Sequence, residues 1–377
     1  MKLRVLGIDA TNIRGGGGVT HLFELLRSVN LADTEFDRVV VWGGSSLLSL
    51  LEDRVWLIKR NPAALDKGLV KRILWQRYHL TRAAYDEGCS LLFVPGGSYA
   101  GGFHPVVTMS QNLLPFQLGE LFRYGWTLFT LKLLLLRLTQ SQAFKKCEGV
   151  IFLTEYARNA VENVTGKLSA KTCVVPHGVN PRFYKAPNFQ KDITSYNNAN
   201  PFRVIYVSTV DLYKHQWHVI SAIEMLREKG LPIVIDLIGP AYQPALKRLN
   251  SVICLRDWAC YYGAVPFDFL HKRYADADLG IFASSCENMP NILLENMASG
   301  LPIACSNKGP MPEILGQNGL YFDPERPEDI ARVLLDLIES PNLRTKLAQE
   351  SYVSSQKFNW QDSATNTFRF FASVMTP

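Results

Sequence analysis

Short apolar runs alternate with helix-like patterns along this chain, and after a polar interruption the alternation begins again. In the first half, strands are expected at Arg4–Asp9, Arg38–Trp42, Ser90–Pro95, Pro105–Met109 and Gly149–Leu153. Helices are expected at Val19–Val29, Val70–Ala84, Leu118–Lys146 and Glu155–Val164. Alternation of this kind builds a parallel sheet with helices on both faces. From 185 to 201, Asn, Asp, Ser, Gln and Lys displace the apolar residues, which reads as a linker. The second half supplies strands at Arg203–Ser208, Ile233–Ile238, Val252–Leu255, Leu279–Ala283 and Ile303–Cys305. Its helices are expected at Trp217–Lys229, Pro266–Tyr274, Pro290–Ala298, Pro327–Ser340 and Leu343–Gln356. A chain of 377 residues exceeds what one core usually serves. The expectation is therefore an α/β protein with two Rossmann-like, doubly wound parallel-sheet domains facing a cleft, at 1–184 and 202–359.

Formal net charge is +6 and the sequence pI about 8.8, which favours anionic substrates or a membrane surface and is too slight to argue for nucleic acid. The seven cysteines are scattered, without Cys-x-x-Cys or His-rich spacing, so no metal site is expected. Buried free thiols in a reducing cytoplasm are the simplest account of them. The amino-terminal residues read as a first strand and lack the long apolar core of a signal peptide. No apolar run reaches the roughly 20 residues needed to span a bilayer. Trp126–Leu138 comes nearest and is interrupted by Lys132 and Arg137. Two readings stay open for it: a helix lying on a membrane surface, and a buried helix whose cations reach out to water.

The chemistry concentrates between Ser285 and Gly300, where Glu287 and Glu295 stand eight residues apart. Pro290 suits a helix start, and a helix N-terminus offers free N–H groups and a positive dipole end to phosphate. Eight residues of helix rise about 12 Å, roughly the span from a sugar to a ribose across a diphosphate. Each carboxylate has two acceptor oxygens, which suits a vicinal diol. The plainer reading is that two glutamates at this spacing lie on a solvated helix face. Gly15–Gly18 follows the first strand and precedes a helix, so its backbone could approach a diphosphate closely. It lacks the G-x-G-x-x-G spacing and also reads as a flexible turn. Lys214 follows the first strand of the second half, where a cation can neutralise a departing diphosphate or simply face solvent.

With its flanks Asn-Met-Pro-Asn-Ile-Leu-Leu-Glu-Asn-Met-Ala-Ser-Gly-Leu-Pro-Ile-Ala, this stretch resembles the E-x7-E motif of retaining glycosyltransferases of family 4 (glycosyl transferases group 1), whose fold is called GT-B. The resemblance covers nearly the whole chain, most strongly residues 148–183 and 202–340. It implies that Glu287 contacts the donor sugar and Glu295 the ribose, and that Lys214 meets the diphosphate. The backbone of Asn288, Met289, Pro290 and Asn291 would hold sugar and phosphate. Gly16, Gly17 and Gly18 would approach the donor phosphates and the acceptor. Gly239 resembles the family's strand-end glycine near the nucleotide, and Gly263 lies in a segment resembling its G-x-V-P loop around the nucleobase. Gln111 and Asn112 stand where many relatives carry His-Asp; both can bond the donor sugar or acceptor, and neither is a general base at neutral pH. His104 and His21 are nearby and read as structural or merely polar. Thr209 stands in the place of the usual arginine, so either a second cation comes from elsewhere or catalysis is weaker. Thr154 reads as a helix N-cap. Val175–Asn180 with Phe183 resembles the interdomain segment, and 360–377 the helix that crosses back to the first domain, the alternative being an extra helix on the second.

The resemblance implies a metal-independent transferase without a cofactor, taking a nucleotide-diphosphate sugar as co-substrate and a glycan or lipid-linked acceptor. Front-face transfer follows, with the leaving phosphate oxygen helping to deprotonate the acceptor. Asp276-Ala277-Asp278 spells a metal-type pattern, but falls in a segment that is structural in the family. Bacterial cell-surface polysaccharide or lipopolysaccharide synthesis, in the cytoplasm or at the inner face of the membrane, is the expected setting. The rival readings are a non-catalytic glycan-binding or complex-forming subunit of the same fold, and a nucleotide-sugar epimerase.

Overall fold

The structure, a computed structural model, describes residues 3–375. The chain divides into two compact units, Met1–Gly178 with Asn359–Pro377, and Val179–Phe358. The first is built on β1 (Val5–Asp9), β2 (Arg38–Trp42), β3 (Leu57–Arg60), β4 (Cys89–Val94), β5 (Val106–Met109), β6 (Gly149–Phe152) and β7 (Lys171–Val174), in the order β3-β2-β1-β4-β5-β6-β7. The second is built on β8 (Phe202–Val207), β9 (Ile233–Ile238), β10 (Ala259–Tyr261), β11 (Leu279–Phe282), β12 (Ile303–Ser306) and β13 (Leu320–Phe322), in the order β10-β9-β8-β11-β12-β13. Neighbouring strands run parallel in both sheets. The central strands are buried along their whole length, because helices cover both faces of a doubly wound sheet. Strand order reverses between β1 and β4 and between β8 and β11, and such switch points open crevices at the carboxyl ends of strands.

The final helix, Trp360–Met375, packs within the first unit. Phe371 lies edge-on to Phe36 and tilted against Phe93, with ring centroids 6.4 and 4.9 Å apart. Gly149 leaves room for this helix, since a Cβ there would lie 2.9 Å from Val374 Cγ2. Where the chain leaves the unit, a Cβ on Gly178 would lie 2.2 Å from the Trp360 nitrogen.

Several expectations need correction. Val252 and Ile253 do not begin a strand. They end the helix Gln243–Ile253, which buries Ala245 and Leu249, while Leu255 stands exposed at φ 68°. The expected helix over 70–84 is two, Leu69–Tyr78 and Leu80–Asp86, meeting at His79. The one expected over 118–146 is interrupted at Gly125, whose φ of 65° ends a short first turn. Thr127 then caps Leu128–Lys146 by accepting from the Thr130 N–H. Strands β3, β7, β10 and β13 were not expected; all four are sheet edges, two of them with polar residues and two only three residues long.

Residues 185–201 form part of the second unit and are no free linker. The Lys185 N–H bonds the Ala298 carbonyl at 3.0 Å, and Tyr196 donates to Asp278 Oδ1 at 2.8 Å. The fully buried Arg344 reaches Gln190 Oε1 at 3.0 Å and also bonds the Lys191, Leu337 and Ile338 carbonyls. The thiols are not uniformly buried either. Cys254 and Cys260 are exposed, one past a helix end and the other on edge strand β10. Among the described residues no helix is long and apolar enough to cross a membrane. On the helix Leu128–Lys146, Leu128, Leu131, Leu135 and Leu138 form an exposed stripe, next to Trp126 at 90% exposure, while Leu133, Ala143 and Phe144 face inward.

Candidate active site

In the second unit, expected site residues follow one another along the carboxyl edge of the sheet. Gly263 comes after β10, Gly239 after β9, Lys214 after β8 and Glu287 after β11, four strands adjacent in that order. The Lys214 ammonium pairs with Glu287 Oε1, and the two side chains are only 6% and 14% exposed. Lys214 also lies over the rings of Tyr213 and Phe282, at 5.1 and 5.2 Å. Tyr206 holds its loop in place: the hydroxyl donates to the Lys214 carbonyl at 2.6 Å and accepts from the Ala283 N–H at 3.3 Å. His215, in the left-handed region at φ 52°, turns the chain into the next helix, and its Nε2 lies 2.9 Å from Ser285 Oγ. The ends of β8 and β11 are thus tied together around the ion pair.

Glu295 lies on the helix Asn291–Ala298 and is 8% exposed. Burial raises its pKa from 4.5 to about 7, partly opposed by the hydrogen bond that Tyr274 donates to Oε2 at 3.2 Å. Pro290 is the N-cap, so residues 287–290 lie outside the helix, and the continuous helical rise expected between the two glutamates does not apply. Pro290 has no N–H and offers only its carbonyl to a ligand or to the helix. The first helical N–H groups, those of Asn291 and Ile292, have no intrahelical acceptor by position. Asn291 Oδ1 is buried without a hydrogen-bond partner among the described residues. Asn288 and Met289 are buried beside it.

Gly239 is held at φ 145°, and a Cβ there would lie 2.2 Å from the Ser208 carbonyl oxygen. Its N–H bonds the Gly263 carbonyl at 2.8 Å, so these two glycines touch. Asp278 is fully engaged, taking Tyr196 on one oxygen and the Arg203 N–H on the other, each at 2.8 Å. That engagement leaves no free carboxylate pair for the metal-type pattern. Thr209, in the place of the usual arginine, uses its carbonyl to accept from Gln216 Nε2 at 2.9 Å. Sequence reasoning missed Tyr274 as a partner of Glu295, although it lies two residues before the Asp276-Ala277-Asp278 pattern already singled out. It also missed Gly309, after β12, where a Cβ would sit 3.8 Å from the Glu287 nitrogen.

In the first unit, the helix Gly17–Ser28 starts two residues earlier than expected, with Gly16 as its N-cap at φ 63°. Gly17 and Gly18 therefore form its first turn. Gly16 and Gly17 are open to solvent, whereas a Cβ on Gly18 would meet Gln111 Oε1 at 3.0 Å. The glycine run and Gln111 are thus neighbours at the carboxyl edge, after β1 and β5. Asn112 is exposed and accepts from the Leu114 N–H at 3.1 Å. Asp9, ending β1, is a buried carboxylate that the sequence did not single out. It is held by Thr11 and Gln76, and burial pushes its pKa up. His104 precedes β5, at the opposite sheet edge, where it pairs with Glu148 at 2.8 Å. His21 is buried with its Nδ1 3.1 Å from Nδ1 of His177, and burial lowers its pKa to about 4. Thr154 caps the helix Glu155–Thr165, its side chain accepting from the Ala157 N–H at 3.1 Å.

Two doubly wound parallel sheets with these carboxyl-edge sites define the GT-B architecture. Residues 189–353 match the profile of the glycosyl transferases group 1 family. O-antigen chain mannosyltransferase B of Escherichia coli is 29% identical over 170 residues, 44% of this chain and 45% of that protein. Spore coat protein SA of Bacillus subtilis is 35% identical over 175 residues, 43% of this chain and 46% of that protein. The chain spans about half the length of the curated relatives it matches. Anabaena Alr3699/HepE, solved in complex with UDP and glucose, superposes with a TM-score of 0.72 at 17% identity, covering 98% of this chain and 100% of that one. At these identities the structural likeness establishes the fold.

Proposed function

We propose that this chain is a retaining glycosyltransferase of family 4 that moves a sugar from a nucleotide-diphosphate sugar to an acceptor hydroxyl. The observation that carries the reading is the water-shielded Lys214–Glu287 pair, set at the strand ends of the same segment that matches the family and followed by the buried Glu295. The Lys214 ammonium exchanges Glu287 for the donor diphosphate and stabilises the negative charge that grows as the sugar bond breaks. Glu287, released, accepts from sugar hydroxyls, and Glu295 accepts from the ribose diol. Gly239 and Gly263 bring backbone close to the nucleoside, while the backbone of Asn288, Met289 and Asn291 faces sugar and phosphate. Gly16, Gly17, Gly18, Gln111 and Asn112 supply the acceptor side. No cofactor and no metal take part; the leaving phosphate oxygen receives the acceptor proton.

The O-antigen relative supports a role in bacterial surface polysaccharide synthesis. The exposed leucine stripe with Trp126, Arg123 and Lys132 supports attachment to the inner membrane surface, since apolar side chains beside cations suit anionic lipid interfaces.

The test is a panel of nucleotides and nucleotide sugars in a thermal-shift assay, followed by sugar release or transfer with the best of them. Wild type should be stabilised by one nucleotide family and turn over its sugar, and Glu287→Ala should bind but turn over poorly. Absence of both stabilisation and turnover with the whole panel overturns the reading.

A further inference from the structure

The helix Leu69–Tyr78 has an inverted character. Its inward arc carries Arg72, Trp75 and Gln76, while Leu69, Val70, Ile73, Leu74 and Tyr78 are exposed, interleaved with Lys71 and Arg77. A helix serving only a soluble core would present the opposite arrangement.

Arg72 reaches into the carboxyl edge of the first sheet, where its guanidinium donates to the Thr11 carbonyl at 3.0 Å. Its Nε is buried and has no hydrogen-bond partner among the described residues. A second guanidinium, that of Arg14, comes to the same place from the loop before the glycine run, anchored on the Leu65 and Lys67 carbonyls. The two cations repel: burial first, and then the like charge of Arg14, lower the Arg72 pKa. Of the nearby carboxylates, Asp66 stays ionised, held by the Ser45 N–H at 2.7 Å and hydroxyl at 3.0 Å and drawn to Arg14, so it offsets the charge on Arg14 only, while burial drives Asp9, on the Thr11 side, toward its neutral form. Asn12 Oδ1, two residues before Arg14, is likewise buried without a partner among the described residues. Two guanidiniums with spare donors and mutual repulsion suit a dianionic phosphate, which accepts from both in fork geometry and cancels the repulsion.

We propose that Arg14 and Arg72 form a subsite for the phosphate or diphosphate head of a lipid acceptor, whose apolar part lies along Leu69, Val70, Ile73 and Leu74. The inference rests on the glycosyltransferase reading and names the acceptor class for it. The same sheet edge continues toward the leucine stripe: the Ser98 carbonyl accepts from Gln76 Nε2 at 3.2 Å, and its hydroxyl lies 3.5 Å from Thr139 Oγ1 on the helix Leu128–Lys146. Both apolar helices therefore flank one edge of the first unit, and the arginine pair sits beside the glycine run and Gln111.

The experiment is vesicle flotation of the full chain with phosphatidylcholine vesicles carrying either phosphatidic acid, a phosphomonoester, or phosphatidylglycerol at matched surface charge. Wild type should prefer phosphatidate. Arg14→Gln and Arg72→Gln should each weaken that binding by about tenfold, the loss of one charge-assisted contact. Because Arg72 also bonds Thr11, melting temperatures are taken for both variants, and the exposed Arg14 serves as the independent arm. Ile73→Ser with Leu74→Ser should lose the vesicles yet keep any arginine-dependent binding of inorganic pyrophosphate. Equal binding to both vesicle types, folded arginine variants that bind like wild type, or arginine-dependent binding of pyrophosphate without vesicle binding each overturns the proposal. Nucleotide-induced stabilisation is measured in parallel; its loss in wild type sinks the glycosyltransferase reading, whereas its retention alongside a failed flotation sinks only the subsite.

Discussion

Lys214 and Glu287, 73 positions apart in the sequence, meet as an ion pair from which water is largely excluded. Each was expected to wait singly for a different part of the donor. Instead each neutralises the other, so two opposite charges share one secluded place. Such a pair is costly to break from one side, because the remaining charge is stranded at a buried position.

Lys214→Met and Glu287→Gln should therefore each destabilise the fold by about 3 kcal/mol, the range for stranding one partner of a buried pair. The double variant should lose clearly less than the sum of the two. Urea unfolding of all four proteins measures the coupling directly. Strict additivity would mean that the two side chains do not interact in solution.

Glu295 makes stability depend on pH in an uncommon direction. Its folded-state pKa of about 7 lies above the ordinary 4.5, so the protonated form is the one that folding favours. That contribution is complete below about pH 4.5 and is lost as pH rises through about 7. At pH 8 the ionised, buried carboxylate costs the fold about 3 kcal/mol at most, from 1.36 kcal/mol per pKa unit. Glu295→Gln should thus raise the melting temperature at pH 8 and leave it nearly unchanged at pH 4.5, as scanning calorimetry would read.

Tyr274→Phe removes the hydroxyl that favours the charged form of Glu295. The Glu295 pKa should rise further, and the pH at which nucleotide binding becomes half-maximal should move upward with it. Titration calorimetry at several pH values follows the midpoint. An unmoved midpoint would detach Glu295 from ribose recognition.

Two glycine substitutions separate packing from ligand approach. Gly178→Ala drives a Cβ into the Trp360 backbone and should destabilise severely, since backbone cannot yield as a side-chain tip can. Gly18→Ala meets only the movable end of Gln111 and should fold with a melting temperature close to wild type, yet lose turnover. Loss of turnover in a well-folded Gly18→Ala protein distinguishes a ligand-approach role from a simple turn.

Much of the architecture could be read from alternation alone, because central strands such as Arg38–Trp42 and Leu279–Phe282 are continuous apolar runs bounded by polar turns. The edges could not. Lys171–Val174 and Leu57–Arg60 are half-solvated, so their polar residues hide the strand. The sequence 252–255 misled for the converse reason, an apolar run belonging to a helix end. The site followed the same divide. Residue types were legible for Lys214 and Glu287 at strand ends and for Glu295 on the helix that follows. Their pairings with each other and with Tyr274 depend on strand order, which no local pattern carries.

Arg344 carries a full charge into the interior with no carboxylate hydrogen-bonded to it, satisfied by four oxygens of which two come from Gln190 and Lys191. A fragment cut at residue 202, where the apolar pattern restarts, would strand that guanidinium and release Tyr196 from Asp278. The smallest autonomous piece of the second unit therefore begins near Val179, and the polar stretch that resembles a connector is the part that a dissection of this chain must keep.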